Sequence, residues 1–244
     1  MNNRRDEFLA VFNDIHRWIQ DELNNEQIDF AGGIRELRSI NPVIRNHKDS
    51  LDVIRELRNV LVHKSNQKFE VAEPSAEILG IAKSIYDKLD NPMRISKFIQ
   101  MKAYSKVVTF ESTDTIGEVL RAVDQYRYSQ FPVFGDDGFQ GLLTESGITS
   151  WLAKHTQENS GIIFDAIDVS VADIMKLDEK VDSHSKIYKE DTIYKLIETF
   201  DKSAKRGENS TILICEKKNL QVSSPEDITG IITAWDLPKL YEQI

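Results

Sequence analysis

The chain has 244 residues, 40% of them hydrophobic, with 31 basic and 40 acidic side chains and one cysteine. That length and apolar content suit one large or two small domains with a buried core and exclude disorder throughout. A lone Cys215 excludes an internal disulfide and a Cys-rich zinc site and fits a cytoplasmic protein. No apolar run approaches the roughly 18 residues of a membrane span, and the polar start of the chain is unlike a signal peptide.

A net charge of −9 argues against coating nucleic acid through overall charge. The charge is uneven, however: residues 31–68 hold eight Lys/Arg against four acids, a local +4. An anionic partner such as RNA is to be sought there.

In chain order, Phe8, Val11, Phe12, Ile15, Trp18, Ile19 and Leu23 recur every three or four positions and predict an amphipathic helix over 5–23. Ile34 and Leu37 predict a shorter helix stopped before Pro42. Leu51, Ile54, Leu57 and Leu61 predict a third, with Val53, Ile54, Leu57, Val60 and Leu61 as its buried arc. A fourth follows Pro74 and Ser75 and ends near Asn91-Pro92. Residues 1–90 therefore read as a small helical bundle.

Beyond Pro92, β-branched runs alternate with helical patterns. Strands are predicted at 107–110, 131–134 and 141–144, helices at 115–126 and 146–153, and a hairpin turn at Asp136-Asp137-Gly138. The order then returns. Ser96-Lys97-Phe98-Ile99 is echoed by Ala172-Asp173-Ile174-Met175, Thr113 to Ile116 by Glu190 to Ile193, and Gly141-Leu142-Leu143-Thr144 by Gly230-Ile231-Ile232-Thr233. This is a tandem repeat with insertions in the second copy.

Each copy ends in a strand opened by Gly and closed by Thr that runs into a helix. A helix start offers unpaired N–H groups to an anion, Thr233 adds a hydroxyl, and the Asp236 carboxylate could accept from two ribose hydroxyls. Equally, Thr233 and Asp236 read as an N-cap and its capping-box partner. Trp151 and Trp235, on the helices that close the two copies, read as core or dimer contacts. No glycine loop of the nucleotide-hydrolase or dinucleotide type is present.

The strand-helix-strand-strand-helix order, its repetition and the Gly-hydrophobic-hydrophobic-Thr-x-x-Asp ending resemble the CBS domain, which occurs in tandem pairs called Bateman modules. The resemblance implies an α+β architecture: a helical bundle at 1–90 followed by CBS repeats at 92–154 and 171–244. It further implies an adenosyl ligand, AMP, ADP, ATP or S-adenosylmethionine, with Thr233 and Asp236 contacting phosphate and ribose and the base near Val181 to Ile187. The first copy keeps Thr144 but has Gly147 in place of the carboxylate, so one competent site per pair is expected.

In the bundle, Arg58-Asn59-x-x-x-His63 resembles the HEPN superfamily motif of Arg, four to six residues, then His. That resemblance implies metal-independent RNA cleavage at a homodimer interface. His63 would move the proton, Arg58 would stabilise charge on phosphorus and Asn59 would orient the phosphate. A polar stripe with a His near a helix end is equally a solvated face with a dipole-suited cation. Five residues also rotate 500° along a helix, leaving Arg58 and His63 about 140° apart.

Two functions follow. One is a nucleotide-sensing regulatory protein whose CBS pair controls a dimeric helical domain. The other is a nucleotide-regulated HEPN-type endoribonuclease acting in stress or phage defence. No membrane partner and no catalytic metal are expected in either.

Overall fold

The computed structural model describes residues 4–63, 72–102, 106–158, 168–178, 181–207 and 211–244, without the side chains of His63 and residues 155–158. The chain divides into two compact units, Met1–Met93 with Leu240–Ile244, and Arg94–Lys239.

The first unit is helical: α1 (Arg4–Glu22), α2 (Phe30–Leu37), α3 (Pro42–Asn46), α4 (Lys48–His63) and α5 (Ala76–Asp90). Local chemistry sets the helix starts. Asp29 accepts from the Gly32 N–H, Asn41 from those of Val43 and Ile44, and Ser75 from that of Ile78. Pro42 sits at the first helical position, where its missing N–H costs nothing, so it opens α3 besides stopping α2.

Phe8, Ile15 and Ile19 of α1, Leu37 of α2, Leu51 and Ile54 of α4 and Ile85 of α5 are fully buried. The buried arc of α4 is rotated from the predicted one. Leu51, Ile54 and Leu61 face the core, with Arg58 on the same stripe at helical spacing, while Val53 is 55% exposed. Val53, Leu57 and Val60 instead line a surface groove with Ile78 of α5.

The tail of the chain completes this unit. Leu240 and Ile244 are buried, and His47 Nε2 and Lys88 Nζ both donate to the Ile244 carbonyl at 3.0 Å. Burial holds the His47 pKa below its ordinary 6.5, with Lys88 adding to the effect and the bond to Ile244 opposing it.

The second unit repeats one topology. The first copy contains β1 (Phe110–Glu111), α7 (Ile116–Tyr126), β2 (Gln130–Gly135), β3 (Gly138–Thr144) and α8 (Glu145–Glu158). The second contains β4 (His184–Tyr188), α10 (Ile193–Lys205), β5 (Thr211–Cys215), β6 (Ile228–Ile232) and α11 (Leu237–Tyr241), whose last two residues enter the first unit. In each three-stranded sheet the first pair is parallel, bridged by the helix, and the second pair antiparallel. The fold is thus a helical bundle followed by a tandem βαββα module. The Asp136-Asp137 turn joins β2 to β3, with Gly138 at φ +92°. The first strand is shorter than predicted, because Val107 to Thr109 lie outside the β1–β2 ladder.

The two copies exchange their leading helices. α6 (Ile95–Met101) precedes β1 but bonds to the second copy, Ile95 N–H to Asp191 O at 3.0 Å and Ser96 N–H to Lys189 O at 2.8 Å. α9 (Val171–Met175) precedes β4 but bonds to the first, Val171 N–H to Asp114 O at 2.8 Å and Ala172 N–H to Ser112 O at 2.9 Å. Val171 and Ile174 accordingly belong to the first copy's core, beside Phe110, Phe131 and Trp151. A separate cluster of Phe134, Leu142, Leu213 and Ile228 joins the copies.

Because burial lowers the His47 pKa in the folded chain, the unfolded chain takes up the proton first as pH falls. The stability from this contact is therefore full above about 6.5 and lost as pH drops through the lowered value. Denaturant unfolding of the helical unit should show this loss between pH 7.5 and pH 5.5, and His47→Gln, which keeps a donor without titrating, should flatten it. His184, also lowered by burial, contributes a slope of the same sign in the second unit. Leu240→Ala should cost about 2 to 5 kcal/mol in the same experiment.

Candidate functional site

In the second copy, β6 leads through Thr233 into a single 3-10 turn, Ala234–Asp236, and then five-residue α11. The predicted helix start is thus a tight turn that Asp236 closes upon itself, its Oδ2 accepting from the Thr233 N–H at 3.0 Å. The other carboxylate oxygen, Oδ1, lies 2.8 Å from Lys102 Nζ. Lys102 follows the exchanged helix α6 and also donates to the Ile231 carbonyl at 3.2 Å. The side chains of this ion pair are only 18% and 15% exposed. In so desolvated a pair, removing one partner leaves the other uncompensated.

The pair lies in the wall of a cavity of about 340 Å³, within the range of small-molecule sites. Its apolar wall comes from Ile99, Val107, Val108 and Ile231, and its polar side from Ser129, Gln130 and Thr233. Lys102, Lys106, Arg127 and Lys239 face it against the single carboxylate of Asp236. Such an excess of cations raises the local concentration of anions. Gly230 keeps the wall open to α6, since a Cβ there would fall 2.8 Å from Ile99 Cδ1.

The first copy differs. Thr144 is buried, and both its N–H and its hydroxyl donate to Asp178 Oδ2 at 2.9 Å. Gly147 stands where the second copy has Asp236. A Cβ at Gly147 would lie 2.4 Å from Asp178 Oδ2, so the glycine is what admits that carboxylate.

Val181 is placed at the first copy: its carbonyl accepts from the Leu142 N–H at 3.1 Å and its side chain covers Gly141. Ile187 is buried in β4, paired with Ile214. Neither is among the described residues lining the cavity at Thr233 and Asp236, where Val107 and Val108 stand instead. Helix exchange is the reason, because it carries the segment ahead of each sheet to the other copy's site.

Trp151 is a core residue, 2% exposed, whereas Trp235 is 91% exposed at the cavity rim and is not core. Lys102 and Asp178, which bond at the two Thr turns, are residues that the sequence reading did not single out. The signal was present, since the offset of 76 that matches Ser96 to Ala172 also matches Lys102 to Asp178.

In the helical unit, the Arg58 guanidinium lies 5.4 Å from the centroid of the Phe12 ring on α1, with Nη1 donating to Asn59 Oδ1 at 3.4 Å. Asn59 is exposed. α4 remains helical through His63, so the 140° separation from Arg58 stands, and the His63 side chain lies outside the described residues. In the basic stretch, Arg35, Arg38, Arg45 and Lys48 are exposed, Arg55 pairs with Asp52 and Glu56, and Lys64 and Lys68 lie outside the described residues. Among the described residues no group of three or more His, Cys, Asp or Glu could hold a metal ion. No helix among them is long and apolar enough to cross a membrane.

The helical bundle followed by two βαββα copies is consistent with a tandem CBS module. Residues 101–154 match the family model of the CBS domain. The matched residues cover the first copy; the second shares its topology. No protein of curated function matches the chain.

Several solved structures are similar to part of this chain. The CBS domain of a CBS-domain-containing membrane protein from Sphaerobacter thermophilus is 19% identical, with TM-score 0.41, covering 61% of this chain and 88% of that one. A CBS-domain-containing protein from Agrobacterium tumefaciens is 18% identical, with TM-score 0.39, covering 60% and 92%. The CBS domain of a bacterial CNNM/CorC family Mg2+ transporter, in complex with ATP, is 16% identical, with TM-score 0.39, covering 66% and 94%.

The two repeat glycines should respond differently to substitution. Gly141 has φ +134° and a Cβ there would meet Val181 Cγ1 at 2.4 Å and its carbonyl at 3.0 Å, whereas at Gly230 it meets only the end of a flexible Ile99. Gly141→Ala should destabilise by more than about 1 kcal/mol, and Gly230→Ala by less. Thermal melts of both variants check the order.

Proposed function

We propose that the tandem module binds an adenine nucleotide at Thr233 and Asp236, and that occupancy regulates a dimeric helical unit. The observation that carries this reading is the half-buried Lys102–Asp236 pair in the cavity wall. A ligand that separates the pair must satisfy both members, because either one left alone is costly. A nucleotide does so: its phosphate takes Lys102 and the Thr233 hydroxyl, and its ribose hydroxyls donate to Asp236. Val107, Val108 and Ile99 supply the apolar surface against which a base packs. The cationic lining favours AMP, ADP or ATP over S-adenosylmethionine, whose sulfonium adds positive charge.

Calorimetry with these four ligands and with adenosine tests the reading. Asp236→Ala should weaken ADP and adenosine alike by at least about tenfold, the loss expected for a charge-assisted hydrogen bond. Lys102→Ala should weaken ADP far more than adenosine, which carries no phosphate. Binding of none of the five by the wild-type chain contradicts the reading.

The alternative, a HEPN-type endoribonuclease centred on Arg58, Asn59 and His63, rests on the motif and the exposed basic stretch alone. Its test is cleavage of RNA by the wild-type chain with and without ADP.

A further inference from the structure

The two copies carry opposite charges at one equivalent position. Lys102 and Asp178 each follow an exchanged helix at the repeat offset of 76, and each reaches the Thr-x-x-Asp/Gly turn of the other copy. Lys102 binds the carboxylate of Asp236. Asp178 supplies a carboxylate of its own and sets it on Thr144, at 2.9 Å from both N–H and hydroxyl, in the space that Gly147 leaves.

We infer that the first copy's cleft is an anion seat already occupied by Asp178, so that the chain takes an external anionic ligand only at the second copy. Three observations support this. Asp178 is 6% exposed, so the carboxylate is held inside the fold rather than hydrated. A carboxylate so placed is stable only with donors, and the Thr144 N–H and hydroxyl provide them at charge-assisted distances. Thr144 also immediately precedes α8, of 14 residues, and in its first turn the Gly147 N–H donates to Thr144 Oγ1 at 3.3 Å, so the hydroxyl relays a second donor toward the carboxylate.

The close approach is specific to this pairing. At Gly147 a Cβ would meet Oδ2, Cγ and Cβ of Asp178 at 2.4, 2.5 and 2.6 Å, so the glycine and the internal carboxylate require each other. In the second copy the same two positions hold Asp236, which closes on its own Thr233 N–H, and Lys102, which pairs with the other oxygen of that carboxylate, and both line the cavity, where an anion from outside can meet the lysine. The sign of the residue after the exchanged helix is therefore the specificity determinant of the pair: a lysine makes a cleft receptive, and an aspartate fills it.

The inference extends the nucleotide reading, and inorganic phosphate tests it separately. Removing the internal carboxylate in Asp178→Gly should hand the seat to phosphate. In that variant the amide resonances of Thr144 and Gly147 should shift saturably with phosphate and the melting temperature should rise, whereas in the wild type these two resonances should stay put. Adding Thr144→Val to Asp178→Gly should weaken phosphate at least about tenfold by removing the hydroxyl donor.

If Asp178→Gly folds only when phosphate is added, the seat is equally demonstrated; failure to fold at any phosphate concentration overturns the inference. So does equal phosphate response at Thr144 in wild type and variant, or none in either. In the wild-type background Gly147→Ala should lower the melting temperature, and a neutral effect there contradicts the close seat. Calorimetry with ADP on the wild type reports on the second cleft: no ADP binding alongside phosphate capture by the variant removes the nucleotide reading and leaves this inference standing. ADP binding without that capture does the reverse.

Discussion

Neither repeat closes on its own residues. The helix that leads into each sheet is bonded to the other copy, through the Ile95 and Ser96 amides in one direction and those of Val171 and Ala172 in the other. Burying Val171 and Ile174 in the first copy's core makes the exchange obligatory, because leaving them in water would expose two fully buried apolar side chains. The clefts follow from it. Each is built from the strand-turn of one copy and the residues trailing the helix of the other, so a single position after that helix sets the charge of a site belonging to its neighbour.

This geometry gives two related sites opposite resting states. At the second, Lys102 and Asp236 neutralise each other in the cavity wall, and the proposed nucleotide, with an anion and two hydroxyls, is what would part them. At the first, Asp178 is bonded to backbone and hydroxyl inside the core, in the space that Gly147, lacking a side chain, leaves for it. The open site also lies close in sequence to the helical unit. Asp236 is four residues ahead of Leu240, which is buried in that unit together with Ile244. The proposed regulation thus has a covalent route from cleft to bundle.

Much of this was legible in the sequence where the determinants are local. Periodicity located α1, α4 and α5; Pro74 and Ser75 marked the start of α5; and Asp136-Asp137-Gly138 marked the hairpin. The repeat showed the two βαββ copies, and Gly147 showed that the first site would differ. What escaped depends on distant partners. Val53 has the right spacing for a core face, but α4 turns Leu51, Ile54 and Arg58 to the bundle instead. Val107 and Val108 are β-branched and read as strand, yet they face the cavity. Val181 lies beside Gly141 of the first copy and does not line the cavity at Thr233 and Asp236, a placement no local pattern reports, since it depends on which copy receives an exchanged segment. Lys102 and Asp178 look like ordinary surface charges until the sheets are paired.

A crystal structure of the full chain grown with ADP is the most direct measurement. The nucleotide should occupy the second copy's cleft, its ribose on Asp236 and its phosphates on Lys102 and Thr233, with Lys102 parted from Asp236 and Asp178 still seated on Thr144. Nucleotide at Thr144 with Asp178 displaced, or a Lys102–Asp236 pair intact beside an empty cleft at saturating ADP, would contradict the assignment.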